Sequence, residues 1–339
     1  MRSFGLAVLF LFSLLIQASA QTTGALFDVR TSKTLMGTQV DLIILHSSAE
    51  KGQLAAFRAF KEIERIEALL SSHIDESEIA RINAAAGKKP IQVSIETFAV
   101  LERAKSYSER FSGLFDLTIG PLVNLWGFSG DLQVQVPEKD KLRKALELVN
   151  FRYLVLDLQK RTALLRKPGM KIDLGGIAKG YAIDRAAMAL KAAGVRNFLI
   201  NAGGDIFASG RKANGEKWVV GVQHPRQPQK LLASCQMTDF AVATSGDYER
   251  YAELNGKRYH HLLNPKTGLP SRAFQSVTVF AASAEEADVW ATYLFLQDQA
   301  AAQNPPAEAP SAVFIDSQGK LHSSDATRKQ FVFTSLAGK

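Results

Sequence analysis

Cysteine is almost absent: Cys235 is the only one in 339 residues. The chain can form no intrachain disulfide, and no Cys-x2-Cys or His-x3-His spacing frames a zinc site. Three other signatures are missing. No Gly-Lys-Ser/Thr follows a glycine turn, so there is no P-loop. No Gly-x-Gly-x-x-Gly is present, which excludes the dinucleotide fingerprint of a Rossmann fold. No Gly-x-Ser-x-Gly marks an α/β-hydrolase nucleophile. The formal charge is +8, yet Lys and Arg are scattered and form no run interleaved with aromatics. That distribution favours anionic small molecules or an acidic partner over nucleic acid. No repeat of solenoid period occurs.

What is present is an ordinary globular composition, 46% hydrophobic and 22% charged, in a chain long enough for a sizeable core. The N-terminus reads as an export signal. Arg2 supplies a positive charge, Leu6 to Ile16 is almost wholly apolar, and Ala18-Ser-Ala20 precedes Gln21 as a small-residue cleavage site. The apolar run is short for a membrane span. Cleavage after Ala20 and a periplasmic location are expected, with no lipid-anchoring cysteine near the site. Residues 1–20 are then the signal and 21–339 one large domain.

The order of elements favours α+β, because strands and helices mix without regular alternation. Phe27 to Lys33 and Val40 to Leu45 read as strands around a Met36-Gly-Thr38 turn. Leu54 to Leu70 reads as a helix with Leu54, Phe57, Ile63, Ile66 and Leu70 on one side. Shorter helices are expected over Glu76–Ala85, Ile95–Phe111 and Pro137–Val149, and a hairpin over Tyr153–Leu158 and Thr162–Ile172. The glycine pair in Asn201-Ala-Gly-Gly-Asp205 has no helix after it, so a bulge or close-approach loop within sheet is expected. Thr244-Ser-Gly-Asp247 reads as a turn, and Gln330–Thr334 as a final strand.

Three stretches carry chemistry. Lys171-Ile-Asp-Leu-Gly-Gly-Ile-Ala-Lys-Gly-Tyr181 reads as strand, glycine turn and helix, the helix starting near Gly176. Its first N–H groups would lack partners and attract an anion, Lys179 would join them, and Asp173 would cap or bind a cation. The same residues also fit a plain turn with a solvated lysine. The second stretch is a helix opened by Ser283, with Glu286 three residues on as a capping box. It is apolar nearly all round, so Asp288 and Thr292, one turn apart, are buried oxygen donors suited to Mg2+, while an Asp–Arg pair or an Asp capping another helix fits Asp288 as well. The third is Tyr259-His-His-Leu-Leu-Asn-Pro-Lys-Thr-Gly268. His261 there is either a general base or one of two histidines of which one packs and one is exposed. Phe115 to Phe128, apolar with Asp116, Thr118 and Asn124 inside it, fits a buried helix or a ligand-lining loop equally.

Six blocks in order resemble the ApbE family, the FAD:protein FMN transferases. They are Met36-Gly-Thr38, Phe115–Phe128, Ile172–Tyr181, Asn201–Asp205, Ala243–Tyr248 with His261–Gly268, and Ala287-Asp288 with Thr292. The resemblance implies a single mixed domain with a mostly antiparallel sheet and packed helices. It also implies a metal-dependent transfer in which a Thr or Ser hydroxyl of an acceptor flavoprotein subunit, exported or membrane-bound, attacks the FMN-side phosphate of FAD and AMP leaves. Carried over residue by residue, Gly176 (through its carbonyl), Asp288 and Thr292 would hold Mg2+. Lys179 would bind phosphate and His261 would take the acceptor proton. Met36, His73, Phe115, Asp116 and Asp173 would contact FAD. His73 stands where the family usually has Tyr, Asn264 where Asp is frequent, and Trp290 where a smaller residue is usual. An FAD pyrophosphatase releasing FMN and AMP, and a periplasmic FAD-binding protein without turnover, are the competing readings.

Overall fold

A computed structural model describes residues 26–129, 134–300, 305–323, 327 and 334–335. The expected export signal, residues 1–20, lies outside the described residues, as does most of the expected strand Gln330–Thr334.

The chain opens with a hairpin, β1 (Phe27–Leu35) and β2 (Thr38–His46). Its turn, Met36-Gly37, has φ of 53° and 72°, the positive pair that matches strand twist in a two-residue hairpin. Three helices follow with serine caps: α1 (Ala49–Leu70) behind Ser48, α2 (Glu78–Ala84) behind Ser77, and α3 (Ile95–Arg110) behind Ser94, with β3 (Ile91–Gln92) between the last two. Then come α4 (Gly120–Trp126), α5 (Lys139–Leu146), β4 (Leu154–Asp157), β5 (Thr162–Leu165) and α6 (Ala178–Ala192). The rest is mainly strand: β6 (Asn197–Ala202), β7 (Asp205–Ser209), β8 (Trp218–His224), β9 (Gln227–Met237), β10 (Phe240–Gly246), β11 (Tyr251–Leu254), β12 (Lys257–His260) and β13 (Phe274–Ala281). Helix α7 (Ala284–Phe295), β14 (Ser311–Asp316), β15 (Leu321–Ser323) and β16 (Thr334–Ser335) complete the described elements.

Eight strands form one sheet in the order β1-β2-β6-β7-β10-β13-β14-β15, every neighbouring pair antiparallel. This is the mixed α/β architecture expected from the sequence. Period-2 alternation splits the side chains between two layers. Val40, Leu42, Ile44, Ala241, Ala243, Val277 and Val279 share a core with α1, α6 and α7. Ala208, Val242, Phe280 and Val313 face the other way, onto Trp218, Val220, Val222, Cys235 and Met237 of the β8–β9 ribbon.

Two local expectations change and two are resolved. Helix α1 starts at Ala49, and Leu54 and Phe57 are 50% and 57% exposed. In that half the buried face is Ala55, Ala56 and Ala59, because small side chains let α6 lie close. Gly203-Gly204 is the two-residue turn of the β6–β7 hairpin, with φ of 59° and 98°; of the two expected forms it is the close-approach loop, since a Cβ on Gly203 would collide with the Thr38 side chain, and not the bulge. Thr244 to Gly246 belongs to β10, since its residues pair with Ser276, Val277 and Thr278 of β13. Of the two readings of Phe115–Phe128, its second half is a buried helix, with Leu122 and Trp126 fully enclosed.

Candidate active site

The glycine turn before α6 is held from both sides. The Asp173 N–H donates to Leu117 O (2.9 Å), joining the turn to the Phe115–Ile119 segment. The Asp173 carboxylate accepts the Gly175 N–H (2.8 Å), and Leu174 O accepts from Ile177 and Ala178 (3.0 and 2.8 Å). The helix therefore begins at Ala178, two residues later than Gly176. Two of its first amides are already committed, Ala178 to Leu174 and Gly180 to Asp288. The open row of free N–H groups expected from sequence is reduced accordingly.

Helix α7 crosses the start of α6 at close range. A Cβ on Gly180 would lie 2.2 Å from Ala284 O, so only glycine permits the contact. Asp288, 6% exposed, accepts the Gly180 N–H through Oδ2 (3.0 Å), leaving Oδ1 for another partner. Thr292 lies one turn on. A Cβ on Gly176 would sit 3.0 Å from Thr292 Oγ1 and 3.1 Å from the Phe115 ring. Gly176, Asp288, Thr292 and Phe115 are thus brought together as expected. Trp290 points elsewhere, edge-on to Phe111 at 4.8 Å, so its bulk does not enter the site.

Charge concentrates here. Lys179 Nζ lies 2.9 Å from Asp205 Oδ2. The contact is an ion pair without hydrogen-bond alignment, since Oδ2 has no aligned donor. Asp205 Oδ1 accepts the Thr244 N–H (3.1 Å), which fixes the carboxylate between β7 and β10. Burial opposes the charge on Lys179, but Asp205, Glu249 and Asp288 outweigh it and hold the ammonium charged. Burial raises the Asp288 carboxyl well above the usual range, and Asp205 and Glu249 add to this against Lys179 and the Gly180 N–H. Glu249 is exposed, yet its charge couples to Lys179, Asp205 and Asp288. Crowding by protein pushes its carboxyl up to about 7, against the pull of Lys179 and with the help of Asp205. Three carboxylates around one lysine leave negative charge in a confined space.

The adjacent histidines divide as one of the sequence readings allows. His260 is buried, with Nε2 2.7 Å from Ser271 O and Nδ1 accepting from Leu262 N–H (3.3 Å), so both nitrogens are used. His261 is half-buried. Its Nδ1 lies 3.3 Å from Arg250 O, and a carbonyl only accepts, so Nδ1 carries the proton and Nε2 keeps its lone pair. Burial, then His260 and Arg250, push its pKa down to about 3, with Lys179 contributing; the ring is neutral at working pH. Its loop is pinned by Trp126 Nε1–H donating to Gly268 O (2.8 Å). Ahead of it, Arg226 grips Asp247 with two bonds of 2.7 and 2.6 Å and fixes the segment that carries Glu249.

The remaining expected residues lie on other segments of the chain. Met36 is on the β1–β2 turn, its N–H bonded to Glu67 (2.9 Å). His73 is exposed beyond α1. The Asp116 carboxylate accepts from Thr118 N–H, Thr118 Oγ1–H and Phe151 N–H (2.8, 2.7 and 3.0 Å), so its oxygens are engaged within the protein. Asp205 and Glu249 were given no role from sequence. For Asp205 the available signal was an acid directly after a glycine turn, Gly204-Asp205; Glu249, three residues past the end of β10, carried none.

Among the described residues no three His, Cys, Asp or Glu side chains converge as a metal cage. The donor set instead comprises one buried carboxylate, one hydroxyl and the glycine turn backbone, within surplus negative charge. That fits a hard divalent cation completing its shell with water and substrate phosphate.

A model of the ApbE family matches residues 36–312. An FAD:protein FMN transferase of Klebsiella pneumoniae (strain 342) is 39% identical over 268 residues, covering 78% of this chain and 81% of that relative. One from Treponema pallidum (strain Nichols) is 36% identical over 252 residues, covering 70% and 69%. The crystal structure of the ApbE protein of Thermotoga maritima superposes with a TM-score of 0.84 at 31% identity, covering 89% of this chain and 99% of that one. The flavin transferase ApbE of Vibrio cholerae does so with a TM-score of 0.79 at 27% identity, covering 91% and 100%.

Proposed function

The chain belongs to the ApbE family, and on that premise we propose that it transfers FMN from FAD to a threonine or serine hydroxyl of an exported redox protein, with Mg2+ as metal and AMP as leaving group. The observation that carries the reading is the convergence of Gly176, Lys179, Asp288 and Thr292, with the neutral ring of His261 near enough to feel the charge of Lys179. Relatives 39% and 36% identical bear the name of that activity.

The chemistry is attack at a pyrophosphate. An acceptor O–P bond forms at the FMN-side phosphorus, the P–O bond to the AMP phosphate breaks, and the hydroxyl proton must leave. Nε2 of neutral His261 takes that proton. An imidazole with a pKa near 3 is a weak base, and the negative phosphates of bound FAD raise it towards the working range. Lys179, held charged by its acidic neighbours, meets phosphate oxygens. Asp288, Thr292 and the Gly176 carbonyl would hold Mg2+, which when bound would supply positive charge to the pyrophosphate. Phe115 closes the site beside Gly176 and keeps water from that side. Export of the enzyme follows from Arg2, the apolar run and Ala18-Ser-Ala20.

The test is intact mass. The protein is mixed with FAD, Mg2+ and an exported flavoprotein subunit carrying a threonine target, and AMP is assayed in parallel. An FMN-sized gain on the subunit, equimolar with AMP, is expected. AMP with free FMN and no mass gain across several acceptors would replace the reading with a pyrophosphatase.

A further inference from the structure

The glycine turn and the helix α6 that follows it meet α7 along three contacts, spaced four residues apart. Gly176 lies against Thr292, Gly180 against Asp288, and Asp184 against Ala284. The first two are the candidate metal site and its immediate neighbour. The third, about 12 Å along the helices from the first by helical rise, has no part in the chemistry above.

At that contact one side chain of α6 closes the end of α7. Asp184 Oδ1 accepts the Ala284 N–H (2.8 Å) and Oδ2 accepts the Glu285 N–H (2.9 Å). The Glu286 and Ala287 amides go to Ser283, to Oγ (3.2 Å) and O (3.1 Å). A helix start leaves four N–H groups without partners. Here Ala287 N–H to Ser283 O is the first bond of the helix itself, Glu286 is met by the cap hydroxyl, and Ala284 and Glu285 are met by a carboxylate from the neighbouring helix. The negative charge also stands at the favourable end of the α7 dipole. Arg103 of α3 adds a second brace, gripping Glu285 with bonds of 2.7 and 2.8 Å.

We propose that Asp184 is a positioning residue that sets the register of α7 on α6 and so holds Asp288 and Thr292 at Gly176. It acts through the helix and touches neither metal nor FAD. The inference rests on the site reading given above, but its structural half stands independently of it.

The test uses the full chain and Asp184→Asn, which keeps shape and one acceptor but turns an NH2 donor towards the second amide. Mn2+ affinity is read by electron paramagnetic resonance and FAD affinity without metal by flavin fluorescence. Amide exchange at Ala284 and Glu285 is read by mass spectrometry. The expected result is Mn2+ binding weaker by about tenfold or more, FAD binding within about twofold, and faster exchange at both amides. A general structural defect would move both affinities together, and that result, or unchanged Mn2+ binding, overturns the assignment.

If Asp184→Asn does not fold, the wild type carries the test. Burial pushes the Asp184 carboxyl up to about 6, with Glu285 adding to this and Lys191 and the two amides opposing; Arg103 offsets Glu285. An opening that frees Asp184 returns its carboxyl to the lower unfolded value and so releases a proton, which acid opposes. Protection at Ala284 and Glu285, corrected for intrinsic exchange, must therefore rise between pH 7.5 and pH 5, and constant or falling protection overturns the inference. Wild type that bound no Mn2+ and released no AMP from FAD would remove the transferase reading alone, because the exchange measurement needs neither ligand.

Discussion

Replacing Gly180 by alanine sets two effects of known size against each other. Alanine is the better helix former by about 1 kcal/mol, so in an isolated helix the change would stabilise. In this fold the new Cβ would lie 2.2 Å from Ala284 O, 2.6 Å from Ala284 C and 2.8 Å from Glu285 Cα. All three are backbone atoms, so no side-chain rotation relieves them. Restoring the first contact from 2.2 Å to an ordinary 3.4 Å requires about 1.2 Å of separation between α6 and α7. Overpacking of this kind costs about 1–3 kcal/mol, which exceeds the propensity gain. The same shift carries Asp288 away from the Gly180 amide and Thr292 away from Gly176. A misplacement of about 1 Å at a reacting centre is worth about 10²-fold in rate. The measurements are urea unfolding and FAD-dependent AMP release under saturating Mg2+. Net destabilisation with turnover down by about two orders of magnitude is expected. A variant more stable than wild type with unchanged turnover would show that the helices give way freely and that their spacing does not set the site.

Asp288→Asn should abolish any rise of melting temperature with Mg2+, yet stabilise the metal-free protein above neutral pH. The carboxyl is raised in the fold from an unfolded value of 3.8, so wild type loses stability as pH rises from there through the raised value, and the amide removes that loss. A gain on the order of 1–3 kcal/mol in chemical unfolding is expected, and a loss of stability would show the carboxylate to be satisfied without metal. His261→Ala should leave FAD affinity within about twofold and slow acceptor flavinylation by about 10²–10⁴-fold in single-turnover mass assays; an unchanged rate removes it as base. Cys235, buried in the β8–β9 layer with its thiol pushed up to about 12 by burial, should resist alkylation at pH 8 in the native protein and react once unfolded.

Legibility in the sequence followed the range of each interaction. Ser283 and Glu286 mark the α7 start within four residues, and that helix begins where the capping box places it. Asp288 and Thr292 are one turn apart on an apolar helix, so their shared face could be read directly. The buried face of α1 could not. Leu54 and Phe57 carry the apolar signal, but Ala55, Ala56 and Ala59 pack, because the distance between α1 and α6 decides the face and that distance lies in the other helix. Thr244 to Gly246 has turn residues yet lies in a strand, since pairing with Ser276 to Thr278 outweighs local preference. Asp205 and Asp184 stayed silent for the same reason. Each acts on a partner distant in sequence, Lys179 in one case and Ala284 with Glu285 in the other.

The net charge of the chain and the charge of its site have opposite signs, and the two are suited to different ligands. A protein of +8 draws an anionic dinucleotide from a distance, over a range set by salt. Inside the cleft, Asp205, Glu249 and Asp288 outnumber Lys179, and a bare pyrophosphate brought there would meet like charge. In the metal-free protein the raised Asp288 carboxyl eases that imbalance by holding a proton. Under the proposed function a divalent cation would ease it further and displace the proton, so the cation and FAD would favour one another in the site while the cation and the proton would compete for Asp288. The carboxylate buried beside α6 is therefore costly to the empty fold, and on the proposed function its use would come when a cation is bound. That asymmetry explains why the surrounding structure, from the Gly180 contact to the Asp184 bonds, is spent on holding α7 in place.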